Sequence, residues 1–140
     1  MAKKQITEDQ LHLLAGKFME QYQCLLYCIA SLDMMERCNN DIETNHVDRG
    51  VAKGRLVEYR RPDTLVYMNQ WYHELKLMPD SMKCKLDETF DDINFGVHYI
   101  LRSNYSDSET KDYYIKMTKK IKLMCDEIME SEMQAICLLG

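Results

Sequence analysis

Glycine and proline are scarce in this chain, five and two among 140 residues. Helix breakers are therefore missing from every long periodic stretch, which leaves long uninterrupted helices as the natural reading. Long apolar runs are missing too. None approaches the roughly 18 residues that a transmembrane helix needs. The opening Met1-Ala2-Lys3-Lys4-Gln5 has charge but no apolar stretch behind it, so no signal peptide is read there. The six cysteines then read as reduced thiols in a cytoplasmic protein. The closing Cys137-Leu138-Leu139-Gly140 has the length of a prenylation box. It ends in a residue outside the usual choices, and Leu138 continues a helical stripe, so that reading is rejected.

Neither sign of charge dominates: 18 basic and 23 acidic residues leave a net charge of −5. That excludes bulk binding of nucleic acid or of an anionic membrane by the whole surface. The common catalytic signatures are also lacking. There is no glycine-rich nucleophile elbow, no P-loop and no dinucleotide fingerprint. Arg102 follows His98 instead of preceding it, so the RxxxxH spacing of some helical ribonucleases is absent. The expectation is a protein that is not an enzyme and needs no cofactor.

What is present is helical periodicity. With 46% hydrophobic residues, wholesale disorder is excluded, and the length suits one domain spanning 1–140 with a real core. From about Thr7 to Cys38 a heptad places Leu11, Phe18, Leu25 and Leu32 at a, and Leu14, Gln21, Cys28 and Met35 at d. Ala15, Tyr22 and Ile29 widen that stripe at e. Thr7-Glu8-Asp9-Gln10 is a capping-box match at its start, and Asn39-Asn40-Asp41 reads as its stop. A second helix is expected over about 62–77, with Pro62 in its first turn, Leu65, Met68, Tyr72 and Leu75 at helical spacing, and Pro79 beyond its end. A third is expected over about 81–102, capped by Asp80 or Ser81. Its apolar positions are Met82, Leu86, Phe90, Ile93, Val97, Ile100 and Leu101. Gly96 inside it costs about 1 kcal/mol against Ala unless a neighbour needs close approach. Ser106-Asp107-Ser108-Glu109 is a second capping box, opening a helix over about 107–138 with Tyr114, Ile121, Ile128 and Ala135 at a, and Met117, Met124, Ser131 and Leu138 at d. The fold class is all-α: a compact antiparallel bundle of about four helices, two long at the ends and two shorter between. Residues 42–61 hold Gly50 and Gly54 and are read as a structured basic loop, with a short extended piece near 55–60 as the local alternative.

The candidate chemistry is thin. Cys24 and Cys28 lie one turn apart, a spacing at which two thiolates can share a soft ion. With Cys38, Cys84, Cys125 and Cys137 scattered singly and Cys28 on an apolar stripe, the pair reads as small core hydrophobes. Glu43-Thr44-Asn45-His46 has the ExxH spacing of di-metal bundles, but it is a single copy in an expected loop; His73 and His98 stand alone. No metal site is assigned. The eleven methionines read mainly as core filler.

Charge patterning is more informative. Asp87, Glu88, Asp91 and Asp92 form an acidic ridge on the third helix. Asp126, Glu127 and Glu130 form another late on the last helix, behind a lysine-rich first half. Both ridges are expected to meet base, either within the molecule or on a partner protein. The basic loop carries Arg49, Lys53, Arg55, Tyr59, Arg60 and Arg61, a combination of charge and stacking surface that also suits nucleic acid. The leading expectation is a non-enzymatic adaptor or inhibitor that binds another protein through its acidic ridges, working as a homodimer. Phage and mobile-element inhibitors of host enzymes often have this profile. Nucleic-acid binding through residues 49–61 is the alternative, and a thiolate metal-binding bundle is the third reading.

Overall fold

The computed structural model describes residues 7–59 and 71–139, without the side chains of 71 and 135–139. Among the described residues four α-helices carry the fold: α1 (Glu8–Thr44), α2 (Arg49–Gly54), α3 (Asp80–Asn94) and α4 (Asp107–Leu139). Among the described residues there is no strand.

Both capping boxes form. Gln10 N–H donates to Thr7 Oγ1 at 3.1 Å while Thr7 N–H donates to Gln10 Oε1 at 2.9 Å. Glu109 N–H donates to Ser106 Oγ at 3.2 Å, and Ser106 N–H to Glu109 Oε1 at 3.1 Å. Each box satisfies two orphan donors, so the starts of the two long helices are fixed locally.

The core is the seam between those helices. Phe18, Leu25, Ile29 and Leu32 of α1 are buried against Tyr114, Met117, Ile121, Met124 and Ile128 of α4. The direction follows from the contacts. Phe18 stacks on Tyr114 with centroids 5.5 Å apart, and Cys28 lies by Cys125. Contact positions advance together along both chains, so α1 and α4 run the same way. α3 is antiparallel to α4: Lys120 Nζ pairs with Asp92 Oδ2 at 3.0 Å and Lys85 Nζ with Glu127 Oε1 at 3.6 Å.

Four sequence expectations are corrected. The Asn39-Asn40-Asp41 stop does not act, and α1 continues to Thr44. Its side chains bond along the helix instead of competing with it: Thr44 Oγ1 donates to Asn40 Oδ1 at 3.1 Å, and Asn45 Nδ2 to Asp41 Oδ1 at 2.7 Å. Termination comes at His46, in the left-handed region with φ 56°, where Val47 N–H turns back to Asp41 O.

Second, the expected loop over 42–61 is, in its described part 42–59, not one loop. Asp48 caps the short α2, taking Val51 N–H at 3.1 Å, and buried Ala52 fits against Met35 and Cys38. A 3₁₀ turn over Leu56–Tyr59 replaces the extended piece. Third, Pro62, Leu65 and Met68 of the expected second helix lie outside the described residues, and its end is a single 3₁₀ turn, Trp71–Glu74. This segment is held by a carboxylate: Glu36 Oε1 accepts Lys76 N–H at 2.5 Å and Leu77 N–H at 3.2 Å. Tyr72, Leu75 and Met78 are then buried.

Fourth, α3 begins after Pro79 with no side-chain cap, and it does not stay α-helical to residue 102. It widens to a π turn over Phe95–Tyr99 and tightens to 3₁₀ over Ile100–Arg102. A π turn holds an extra residue, which rotates everything after it by about one position. Gly96 and Ile100 therefore face inward while Val97 and Leu101, expected in the core, are exposed.

Gly96 has the neighbour its position calls for. A Cβ there would meet three atoms of the Tyr113 phenol at under 3.0 Å. Tyr113 cannot easily yield, because its ring is flanked by Phe18, Phe95 and Tyr114 and its hydroxyl donates to Asp92 O. Gly96→Ala should therefore destabilise by about 1–3 kcal/mol, as overpacking does. Gly54→Ala, with nothing within 4 Å of a new Cβ, should stay within about 1 kcal/mol of the parent. Denaturant midpoints of the two variants check the contrast.

Candidate functional site

The sequence-predicted acidic residues divide in two. Asp87 accepts the Tyr72 hydroxyl at 2.5 Å, and His73 Nε2 lies 2.7 Å from the same oxygen. Asp92 pairs with Lys120 and Glu127 with Lys85. These three carboxylates hold α3 to its neighbours. The base they meet therefore comes from facing helices and from the 71–74 turn. Glu88, Asp91, Asp126 and Glu130 are exposed, and Glu88 and Asp91 share with Cys84 the outward face of α3.

That face runs into the turn after α3, where Val97, Tyr99 and Leu101 are exposed, Leu101 at 87%. The turn has a built support. Phe95 stacks on Tyr105 and Tyr113 with centroids at 5.3 and 5.5 Å, and Ser103 Oγ donates to Ile100 O at 2.6 Å. This apolar tip is not legible in the sequence, because the π turn that creates it has no local signature.

The basic segment folds back on α1. Arg49, Lys53 and Arg55 are exposed, whereas Arg60 and Arg61 lie outside the described residues. Tyr59 packs beside Met35 and Cys38, its hydroxyl donates to Asp41 Oδ2 at 2.5 Å, and its carbonyl accepts Arg37 Nη1 at 3.0 Å. Hydrogen bonds from Asn45 and then Tyr59, with the Arg55 charge nearby, hold the Asp41 carboxyl below the usual range. Tyr59 is thus partly buried and tied to α1 through its hydroxyl and carbonyl. The polar groove beside it, about 430 Å³ and lined by Glu36, Arg37, Asp41 and Tyr59, is bounded by these same mutually bonded groups.

The parallel seam also brings together residues that the sequence leaves apart. Cys24, Cys28 and Cys125 place their sulfurs within 4.8 Å of one another. Cys28 and Cys125 are 3% and 2% exposed, and Cys24 is open to solvent. Gln21, a polar residue on the α1 stripe, donates Nε2–H to Cys125 Sγ at 3.6 Å. The thiol of Cys28 donates to Cys125, which with the Gln21 bond brings Cys125 down to about 7 against its burial. Cys28 is pushed up, first by that donated bond and then by burial, and Cys24 is pushed up by burial. Cys125 is therefore the most acidic of the three thiols, and the other two protons are held more tightly. Cys125, read in sequence as a solitary cysteine, is the residue that completes this cluster. The Glu43–His46 pair, by contrast, sits exposed at the end of α1 with no further ligand beside it among the described residues.

Comparison with protein-family models, curated proteins and solved structures finds no match.

Burial raises the Asp87 carboxyl, but the bonds from Tyr72 and His73 outweigh it and leave it below its ordinary value. A depressed carboxyl stabilises the fold above its unfolded pKa of about 3.9, and that stabilisation disappears as pH falls through the folded value. Asp87→Asn should therefore be less stable than the parent at pH 7. Denaturant midpoints across pH should show the gap closing below about pH 4.

Proposed function

We propose that this chain is a non-enzymatic protein-binding protein that docks through the outward edge of α3 and the turn beyond it. The observation that carries the reading is Leu101, 87% exposed on a turn that aromatic stacking holds in place. Apolar side chains presented on a firm support are a common mark of an interface. Tyr99 beside it is of the residue type that dominates binding energy at such centres. Glu88 and Asp91 add negative charge on the same edge, so the complementary surface is an apolar recess with a basic rim. Asp126 and Glu130 extend the acidic character along α4.

A second copy of the chain is the first partner to test, because exposed Arg49, Lys53 and Arg55 give it base of its own. Nucleic-acid binding through this segment has less support, since Tyr59 is turned to Asp41 and the 3₁₀ turn is short.

The test is site-specific photo-cross-linking from position 101 in cells expressing the chain, with exposed Leu13 as the reference position. One predominant protein adduct from 101 is expected, a self-adduct identifying the partner as a second copy. Glu88→Lys with Asp91→Lys should abolish it without moving the melting temperature. Equal adducts from both positions, or adducts indifferent to the charge reversal, would refute the reading. Light scattering at low and high salt checks the self-association arm: a dimer held by these charges weakens as salt rises.

A further inference from the structure

The thiol cluster lies on the seam between α1 and α4 rather than on α3 or the turn beyond it, and docking through that turn does not explain it. We propose that Cys24, Cys28 and Cys125 form a three-sulfur binding site for a trivalent thiophilic ion, of which arsenite is the soluble representative.

Geometry comes first. Three sulfurs bound at about 2.3 Å to trivalent arsenic, whose lone pair makes the site pyramidal with angles of about 100°, lie about 3.5 Å from one another. The sulfurs here lie within 4.8 Å of one another, so shifts on the order of an ångström close the site. The backbones supplying them are held by the tightest part of the core, with Leu25, Ile29, Ile121 and Ile128 fully buried on either side. Two donors come from one face of α1 at i and i+4, and the third comes across the seam from α4. Cys24 is open to solvent and supplies the entry. Gln21 orients the deepest sulfur by its hydrogen bond, the outer-shell role that tunes ligand basicity in such sites.

Charge then selects the class of ion. Among the described residues the charged side chain that acts on the cluster is Asp126, and it opposes thiolate formation at Cys24 and Cys125. No basic group is among the described charges acting on the three thiols. Three thiolates around a monovalent soft ion would leave two net negative charges at a half-buried site, and around a divalent ion one. Around a trivalent ion they leave none, which avoids the desolvation penalty of an unpaired buried charge. Divalent zinc also asks for four donors in a closed site, and no fourth His, Cys, Asp or Glu joins these three among the described residues. The bonding step balances without oxidation or reduction. Each of the three thiols exchanges its S–H for an S–As bond, and each of the three arsenite hydroxyls leaves as water with that proton. Cys24, open to solvent, takes the first bond, and the buried Cys28 and Cys125 behind it follow.

The experiment is arsenite titration of the reduced full-length protein, followed by intact-mass spectrometry and thermal melting. The expected product carries one arsenic with three hydrogens lost and no hydroxyl retained, and it melts higher than the free protein, because a ligand of the native state stabilises it. Cys24→Ser, at an exposed position that leaves the core intact, should weaken binding about 100-fold or more by removing one of three linked donors. Cys125→Ala tests the third arm from α4, and Cys84→Ser, exposed on α3, should change nothing. Equimolar zinc should not displace the arsenic. An adduct that keeps a hydroxyl, binding that survives loss of Cys24 or Cys125, or displacement by equimolar zinc would each overturn the proposal.

Discussion

Two long helices that lie side by side and point the same way cannot be joined by a short turn. The chain must travel back the length of the first before it can start the second. At about 1.5 Å per residue, the 37 residues of α1 set a return path of about 55 Å. The described residues between Asn45 and Ser106 serve that return. α2 and the Leu56–Tyr59 turn cover the end of α1 around Cys38, and Glu36 ties down the segment at 76–77. α3 then runs antiparallel to α4 and closes the third side of the seam. The π turn at its end is where this path must swing around Tyr113 to enter α4.

This requirement explains what was legible in the sequence. The two long helices were readable because their signals are local: capping boxes at Thr7 and Ser106, and heptads whose a positions Phe18, Leu25, Leu32, Tyr114, Ile121 and Ile128 are all buried. The all-α bundle followed from those signals. Their relative direction did not, because direction depends on how many helices intervene, and the 62–77 stretch reads as a helix by spacing alone. What is described of it is one 3₁₀ turn. Among the described residues α3 is the long element of the return, and α1 and α4 run parallel. The stop at Asn39-Asn40-Asp41 misled for a related reason. Short polar side chains end helices when they bond their own backbone, but here Thr44 and Asn45 engage them one turn on.

Electrostatics shows how far composition carries and where it ends. Seven carboxylates on two helices read as two uniform ridges. In the fold, Asp87, Asp92 and Glu127 are joined to Tyr72 and His73, Lys120 and Lys85. Exposed pairs of this kind contribute little each, about 0.2–1 kcal/mol. Their main effect is register, since Asp92–Lys120 and Lys85–Glu127 both fit a single antiparallel alignment of α3 on α4. What remains facing solvent is a shorter acidic edge ending in an apolar tip. Periodicity could not have found that tip: before the π turn the buried positions run Met82, Leu86, Phe90 and Ile93, and after it the same spacing points outward to Val97 and Leu101.

Cys24 and Cys28 are a local pair, visible in any reading, whereas Cys125 is about a hundred residues away and meets them only because α1 and α4 run parallel. Were α4 reversed about its midpoint, the same residues would still lie on an apolar stripe, but Cys125 would face a different turn of α1. The cluster is therefore a property of the topology rather than of a motif. It also sits across the seam on which the fold depends, with one sulfur on α4 and two on α1. A species bonded to all three joins the two helices directly, so occupancy at the cluster and stability of the seam are one linked equilibrium. The exposed Cys24 gives that equilibrium its access to solvent, and the buried Cys28 and Cys125 give it its purchase on the core.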